Sequence, residues 1–283
     1  MRRAEKLLKR GAMRSLFAIV VATTGLSAAA MAQRDSLNND EIIFHSTPVD
    51  ASGKAVHVDR TVPRFSKIDF RTMGKLTVNQ GAATGIVSVD VDEAWESITE
   101  TFVRDDRLVI RYKRPYFARC MSNGGLLDRL RSSDRCKSEF SITTDRLVDI
   151  NLSGPGDVVM GEGQFASDNL FIKIAGPGDV SQKQVVSGEL RVQLAGPGNL
   201  RLSGSAETAD YTVHGPATVE AQNFATSDTR VSAFGPASFF VHARNSLRGR
   251  LFGPGNVVYS GNPKTVNVKT QGPFGSVRPA SEG

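Results

Sequence analysis

The chain has 283 residues, 40% of them hydrophobic and 7% aromatic, with 35 basic and 29 acidic residues for a formal net charge of +6. Its first 32 residues hold six of the basic residues and one acid (Glu5), so the remainder carries 29 against 28 and is close to neutral. A net charge that small excludes a nucleic-acid partner recognised by bulk charge.

Residues 1–32 have the order of a signal peptide. Arg2, Arg3, Lys6, Lys9, Arg10 and Arg14 precede an apolar run from Leu16 to Leu26, and Ala30-Met31-Ala32 precedes Gln33. The run is short for a membrane span, Gln33 rather than a lipoprotein's cysteine stands directly after the cleavage point, and no membrane span is expected beyond it. Export to the periplasm, cell envelope or exterior follows. Residues 33–61 are a polar leader with one strand expected at Val56 to Val58. From Phe65 to Tyr112 strands are expected at Phe65 to Phe70, Lys75 to Val78, Ile86 to Val91 and Arg107 to Tyr112. Trp95, the only tryptophan, falls between two of them and is expected in a core or cap, since a stack of repeats needs an end that shields its first open edge.

Residues 114–137 interrupt this pattern. Cys120 and Cys136 are the only cysteines, and in an oxidising compartment they are expected to pair as a disulfide contributing about 3 kcal/mol. Arg119, Arg129, Arg131 and Arg135 make the segment basic, with an anionic envelope polymer as a candidate ligand and a braced, solvated excursion as the alternative.

After this insertion the chain repeats itself. A Gly-Pro pair begins at Gly154, Gly176, Gly196, Gly215, Gly235, Gly253 and Gly272, at spacings of 22, 20, 19, 20, 18 and 19 residues. Before each pair apolar residues alternate with polar ones, as in Ile150 and Leu152, Ile172 and Ile174, or Val192 and Leu194, the period of a half-buried strand. Lys173, Arg191, Gln193, Arg248 and Arg250 lie between such positions and are expected in water. Four residues after each Gly the apolar row continues with Val158, Val180, Leu200, Val219, Phe239 and Val257. Pro followed by Gly suits a type II turn, with positive φ expected at Gly156, Gly178, Gly198 and Gly255, and type I turns at Ala217, Ala237 and Phe274. A unit of about 20 residues cannot bury its apolar side alone, whereas stacked units can. The predicted fold is an all-β, right-handed parallel β-helix of about seven coils of 18–22 residues with an N-terminal β cap, roughly 30 Å long at about 4.8 Å per coil. An antiparallel sandwich is the rival architecture, but it gives no reason for one corner to recur seven times.

No nucleophile elbow, zinc-protease helix or P-loop is present. His45, His57, His214 and His242 show no ligand spacing, and no metal or cofactor is expected. Asp157 and Asp179 occupy equivalent corners of consecutive coils, so stacking brings two carboxylates together. Such a pair binds calcium or shares acid-base work, although Asn199, Thr218 and Ser238 at the next corners weaken a metal ladder.

The run Leu152-Ser153-Gly154-Pro155-Gly156-Asp157-Val158 with its copies at Gly176 and Gly196, the opening Phe65-Ser66-Lys67-Ile68-Asp69-Phe70, Leu76 to Gly81 and Leu108-Val109-Ile110 together resemble the auto-transporter adhesin head domain, called the GIN domain. The resemblance spans about residues 62–275, followed by a tail at 276–283. Pro replaces the family's frequent Ser, and the cysteine-bounded insertion is a second departure. The resemblance implies a secreted bacterial β-helical domain without assigned catalytic residues. No β-barrel translocator follows, so self-export is not expected. A non-enzymatic envelope module that binds a polymer or protein partner, or serves a structural role, is the leading functional expectation. A polysaccharide-active enzyme using Asp157 and Asp179 and a scaffold assembling end to end are the alternatives.

Overall fold

A computed structural model of the chain describes residues 47–82, 84–119, 138–161, 164–272 and 274–280. The signal segment, Cys120, Cys136, Arg129, Arg131 and Arg135 lie outside the described residues. By its contacts the chain divides into two units, and the solenoid belongs to the one that includes residues 48–113.

The chain runs β1 (Thr47–Asp50), β2 (Ala55–Thr61), β3 (Lys67–Arg71), β4 (Gly74–Gln80), β5 (Ile86–Asp92), the one-turn helix α1 (Glu93–Glu96), β6 (Thr99–Arg104), β7 (Arg107–Tyr112), β8 (Tyr116–Arg119) and β9 (Glu139–Thr144). Then come β10 (Asp149–Ser153), β11 (Gly156–Met160), β12 (Phe165–Ala175), β13 (Val180–Ala195), β14 (Gly198–His214), β15 (Ala217–Phe234), β16 (Ala237–Phe252), β17 (Gly255–Ser260), β18 (Thr265–Gln271) and β19 (Ser276–Pro279). β1 and β8 make a small sheet, and the other strands join in one sheet of 17 strands.

Parallel pairing of successive coils builds that sheet into a β-solenoid of about six turns. Before the corners the ladder runs β7, β3, β10, β12, β13, β14, β15, β16, β18. After the corners it runs β9, β4, β11, β13, β14, β15, β16, β17, β19. Register shifts between Gln182 and Val185, Arg201 and Ser203, and Ala221 and Ala225 bend the long strands onto a third side, where Phe165, Val185 and Phe224 are buried. The seven Gly-Pro corners bound six intervals between Gly154 and Gly272, and β19 follows the last corner. A one-residue slip is present there: Val257 pairs with Val277, five residues after its Gly where Val257 is four after its own.

The interior follows from the alternation. Ile68, Ile150, Ile172, Val192, Tyr211 and Val231 occupy one register row and are all essentially without solvent contact. So are Val158, Val180, Leu200, Val219, Phe239 and Val257 after the corner. Lys173, Arg191, Gln193, Arg248 and Arg250 are exposed. A methyl or ring in these rows meets its equivalent one coil away, so each coil buries its neighbour's apolar surface as well as its own, and removal of one buried side chain costs about 2–5 kcal/mol.

The strands before the insertion divide into two roles. β3 and β4 form a coil of their own, β7 and β9 another, and the β3–β4 coil lies between the β7–β9 coil and the β10–β11 coil. Capping falls to the antiparallel strands: β6 covers the free edge of β7 and β5 that of β9, with β2 beyond β5. Where other coils turn in two to four residues, the sequence between β7 and β9 contains the cysteine-bounded insertion. Trp95 is fully buried beside Ile98 and Ala118, and its Nε1–H donates to the Val49 carbonyl at 2.9 Å.

Pairing of β2 with β5 sets His57 opposite Asp90. The ring Nδ1 lies 2.7 Å from Asp90 Oδ1, and Nε2 lies 3.4 Å from Asp59 Oδ1. The Asp90 hydrogen bond, then its charge, raise the His57 pKa above its ordinary 6.5. The sign is that of a cation stabilised by folding: the contribution is complete below 6.5 and disappears as pH rises through the raised value. An NMR titration is expected to place the His57 midpoint above 6.5 and to find it lower in Asp90→Asn; equal midpoints in the two proteins contradict the pairing.

Candidate functional site

The corners carry an open groove on the solenoid. Each begins with a Gly of positive φ, from +143° at Gly154 to +107° at Gly215, a conformation that costs other residues 1 kcal/mol or more. The expected turn chemistry is corrected here. The positive φ belongs to the Gly before Pro, whereas Gly156, Gly178, Gly198 and Gly255 are not among the positive-φ residues. Nor is Phe274 in a type I turn, since its φ is +75°. The second glycines have another cause, the closeness of adjoining coils. A Cβ on Gly178 would lie 2.2 Å from the Gly156 carbonyl oxygen, and one on Gly198 2.5 Å from that of Gly178.

Just beyond, the polar corner residues form one register row: Asp157, Asp179, Asn199, Thr218, Ser238, Asn256 and Ser276. From Asp157 to Asn256 this row, with Pro177, Pro197, Pro216, Pro236 and Pro254, lines an open groove of about 880 Å³ along successive corners. Stacking brings Asp157 and Asp179 into neighbouring coils as the spacing requires, and their carboxylates link coils. Asp157 Oδ1 accepts the Asp179 N–H at 2.9 Å; Asp179 Oδ1 accepts the Asn199 N–H at 2.8 Å and its Nδ2–H at 3.0 Å. Ser276 Oγ donates to Asn256 Oδ1 at 2.7 Å. Arg201 approaches Asp179 at 3.8 Å but makes its shorter contact, 3.0 Å, with Glu220. No His, Cys or Glu lines the groove. Among the described residues no three acidic, histidine or cysteine side chains gather as metal ligands. Proline rings flanked by hydroxyl and amide groups fit contact with an extended chain.

Of the basic residues of the insertion, Arg119 is described and is already engaged. Its Nε and Nη2 donate to the two Asp50 oxygens at 2.6 and 2.7 Å, which lowers the Asp50 pKa.

One row was not anticipated. The residue before each Gly-Pro faces outward, and in three consecutive coils it is aromatic. His214 stacks on Phe234 with centroids 4.8 Å apart, and Phe234 on Phe252 at 5.1 Å, with planes within 6°. Counting back one residue from each Gly picks out the row, but one sequence gives no reason to privilege that offset. His242 Nδ1, a coil further round, lies 3.0 Å from Ser260 Oγ.

Residues 64–263 match the family described as "Putative auto-transporter adhesin, head GIN domain". Among solved structures, a "putative adhesin" from Bacteroides fragilis superposes with a TM-score of 0.71 at 23% identity, covering 82% of this chain and 100% of that one. A "putative lipid binding protein" from Parabacteroides distasonis gives 0.60 at 16% identity, with coverages of 83% and 100%. A "putative adhesin" from Parabacteroides merdae gives 0.55 at 18%, with 83% and 99%. At these identities the likeness is one of fold. No curated protein matches. No helix among the described residues is long and apolar enough to cross a membrane.

Proposed function

The chain belongs to the GIN-domain family of auto-transporter adhesin heads, and from that premise we propose that it is a non-enzymatic, exported envelope module that binds an extended polymer or protein segment along its corners. The observation that carries this reading is the groove across successive corners, lined by proline rings and by Asn199, Thr218, Ser238 and Asn256. A flexible chain laid along a repeating surface makes the same small contact several times, and the contacts accumulate without a deep pocket. The engagement of Asp157 and Asp179 in coil-to-coil hydrogen bonds supports binding over acid-base chemistry. The signal-peptide order of residues 1–32 supports export.

Screening the purified chain against immobilised envelope glycans and peptides is expected to return a ligand whose affinity falls about tenfold when the groove is filled by Thr218→Trp with Ser238→Trp, a loss equal to a few van der Waals and hydrogen-bond contacts. Ligand binding unaffected by those substitutions removes the groove from the account. Glycan turnover that disappears in Asp157→Asn/Asp179→Asn, with the fold unchanged, overturns the non-enzymatic reading.

A further inference from the structure

A second recess lies on another part of the same solenoid. Counting back five and three residues from Gly235, Gly253 and Gly272 gives Arg230, Arg248 and Asn267 in one outward row and Ser232, Arg250 and Lys269 in the next, and the strand register sets them side by side. They surround a cavity of about 480 Å³ to which only Gly249 is added. Four cations and two neutral hydrogen-bonding side chains line it, and no carboxylate does.

Several arginines elsewhere are neutralised by a carboxylate. Arg60, Arg71, Arg107, Arg111, Arg191 and Arg201 each have a carboxylate within 3.0 Å. Among the described residues Arg230, Arg248, Arg250 and Lys269 have none within 4.0 Å. The carboxylates nearest in register are Asp210, level with Arg230, and Asp228, level with Ser246. Asp228 is occupied by Ser227 Oγ, Asn245 Nδ2 and Ser246 Oγ. Parallel stacking holds equivalent side chains about 4.8 Å apart, so like charges face one another across adjoining coils and repel. An oxyanion relieves that repulsion and accepts the paired N–H groups a guanidinium presents. Gly249 maintains the spacing: a Cβ there would lie 2.0 Å from the Val231 carbonyl oxygen, so a larger residue forces apart the strands that carry Arg230 and Arg250.

We propose that this recess is a binding site for an acidic polysaccharide whose carboxylate or sulfate groups repeat along the solenoid axis. Cations recur on β15, β16 and β18, so a linear polyanion lying along the axis meets one at each coil, while Ser232 and Asn267 suit sugar hydroxyls. A single-stranded nucleic acid needs open aromatic faces for its bases, whereas His214, Phe234 and Phe252 cover one another's faces and leave mainly edges outward. No apolar side chain lines the recess to enter a bilayer. The site is separate from the corner groove and stands whether or not that groove binds anything.

The test is fluorescence anisotropy with the purified chain and labelled heparin-derived and polygalacturonate oligosaccharides. Neutral dextran oligomers, inorganic sulfate, an oligothymidylate and phosphatidylglycerol vesicles serve as the other arms. At least one acidic oligosaccharide is expected to bind, more weakly as salt rises. Arg248→Gln/Arg250→Gln is expected to lose affinity on the order of tenfold or more, as removal of charge-assisted hydrogen bonds requires, with Lys269→Gln losing less. Both variants replace exposed side chains, and an unchanged melting transition verifies the fold. Thr218→Trp/Ser238→Trp should leave this binding intact, which separates it from failure at the corners. Undiminished binding by the folded double variant overturns the proposal, as does binding of neither acidic oligosaccharide. Sulfate alone binding as tightly as the polymers, or stronger binding of vesicles or oligothymidylate, also overturns it.

Discussion

Gly178→Ala is expected to lower stability by about 3 kcal/mol, the upper part of the range for overpacking, and to lower the melting temperature by about 9 °C for a domain of this size. The added methyl would sit 2.2 Å from the Gly156 carbonyl oxygen and 3.0 Å from Leu152 Cδ2. The carbonyl belongs to the coil below, whose β11 is hydrogen-bonded in a parallel ladder along both edges, so relief requires separating two coils. The equivalent position shows how much depends on that separation. At Gly255 the built Cβ stands 3.1 Å from the Ala237 carbonyl, and two corners already carry Ala217 and Ala237. Ala237→Gly, with a methyl lost and backbone freedom gained, is expected to cost only about 1 kcal/mol. Thermal denaturation of the two variants side by side is the measurement. A Gly178→Ala protein that melts with the wild type would mean that coil spacing does not fix the second glycine.

The same corners mark the boundary of what the residues disclose in one dimension. The rows Ile150–Ile172–Val192 and Val158–Val180–Leu200 were legible because burial on a strand follows alternation, and alternation needs no knowledge of the neighbouring coil. The second glycines were misassigned because Pro-Gly has a local explanation, a type II turn, that competes with a non-local one, the carbonyl a coil away. β3, β4, β7 and β9 form two coils without a Gly-Pro, and the later one in sequence lies on the outer side of the earlier. A repeat read from its corner has no means of detecting that order. The basic recess stands between these cases. Arg248 and Arg250 were placed in water from their parity alone, and counting from the glycines aligns Arg230 with Arg248 and Arg250 with Lys269. What was missing was the carboxylate inventory, because a partner two strands away decides whether a surface arginine is neutralised or available.

Asp92→Ala is expected to destabilise the chain by about 3 kcal/mol, from the backbone donors it leaves without an acceptor. Asp92 is buried, with 2% of the residue exposed. It accepts the N–H groups of Ser52, Gly53 and Ala94 at 2.8, 2.7 and 2.9 Å and the Ser52 hydroxyl at 3.0 Å. It thereby caps α1 and fixes the turn at Gly53, where φ is +81°. Both adjoin β5, the strand that closes the edge of β9. Burial by itself raises the Asp92 pKa; the three N–H groups and the hydroxyl outweigh it and bring the group below 3.8. A depressed carboxyl gives the protein stability that is complete above the unfolded value and vanishes as pH falls through the folded one. Urea unfolding is therefore expected to show a constant gap between wild type and Asp92→Asn from neutral pH down to about 5, closing progressively below about 4. A gap that persists unchanged at about pH 2 would mean that the ionised carboxylate is not what secures this end. Because a solenoid comes apart from its ends inward, the same substitution is expected to speed amide exchange in β2 and β5 well before it is felt at β14 and β15.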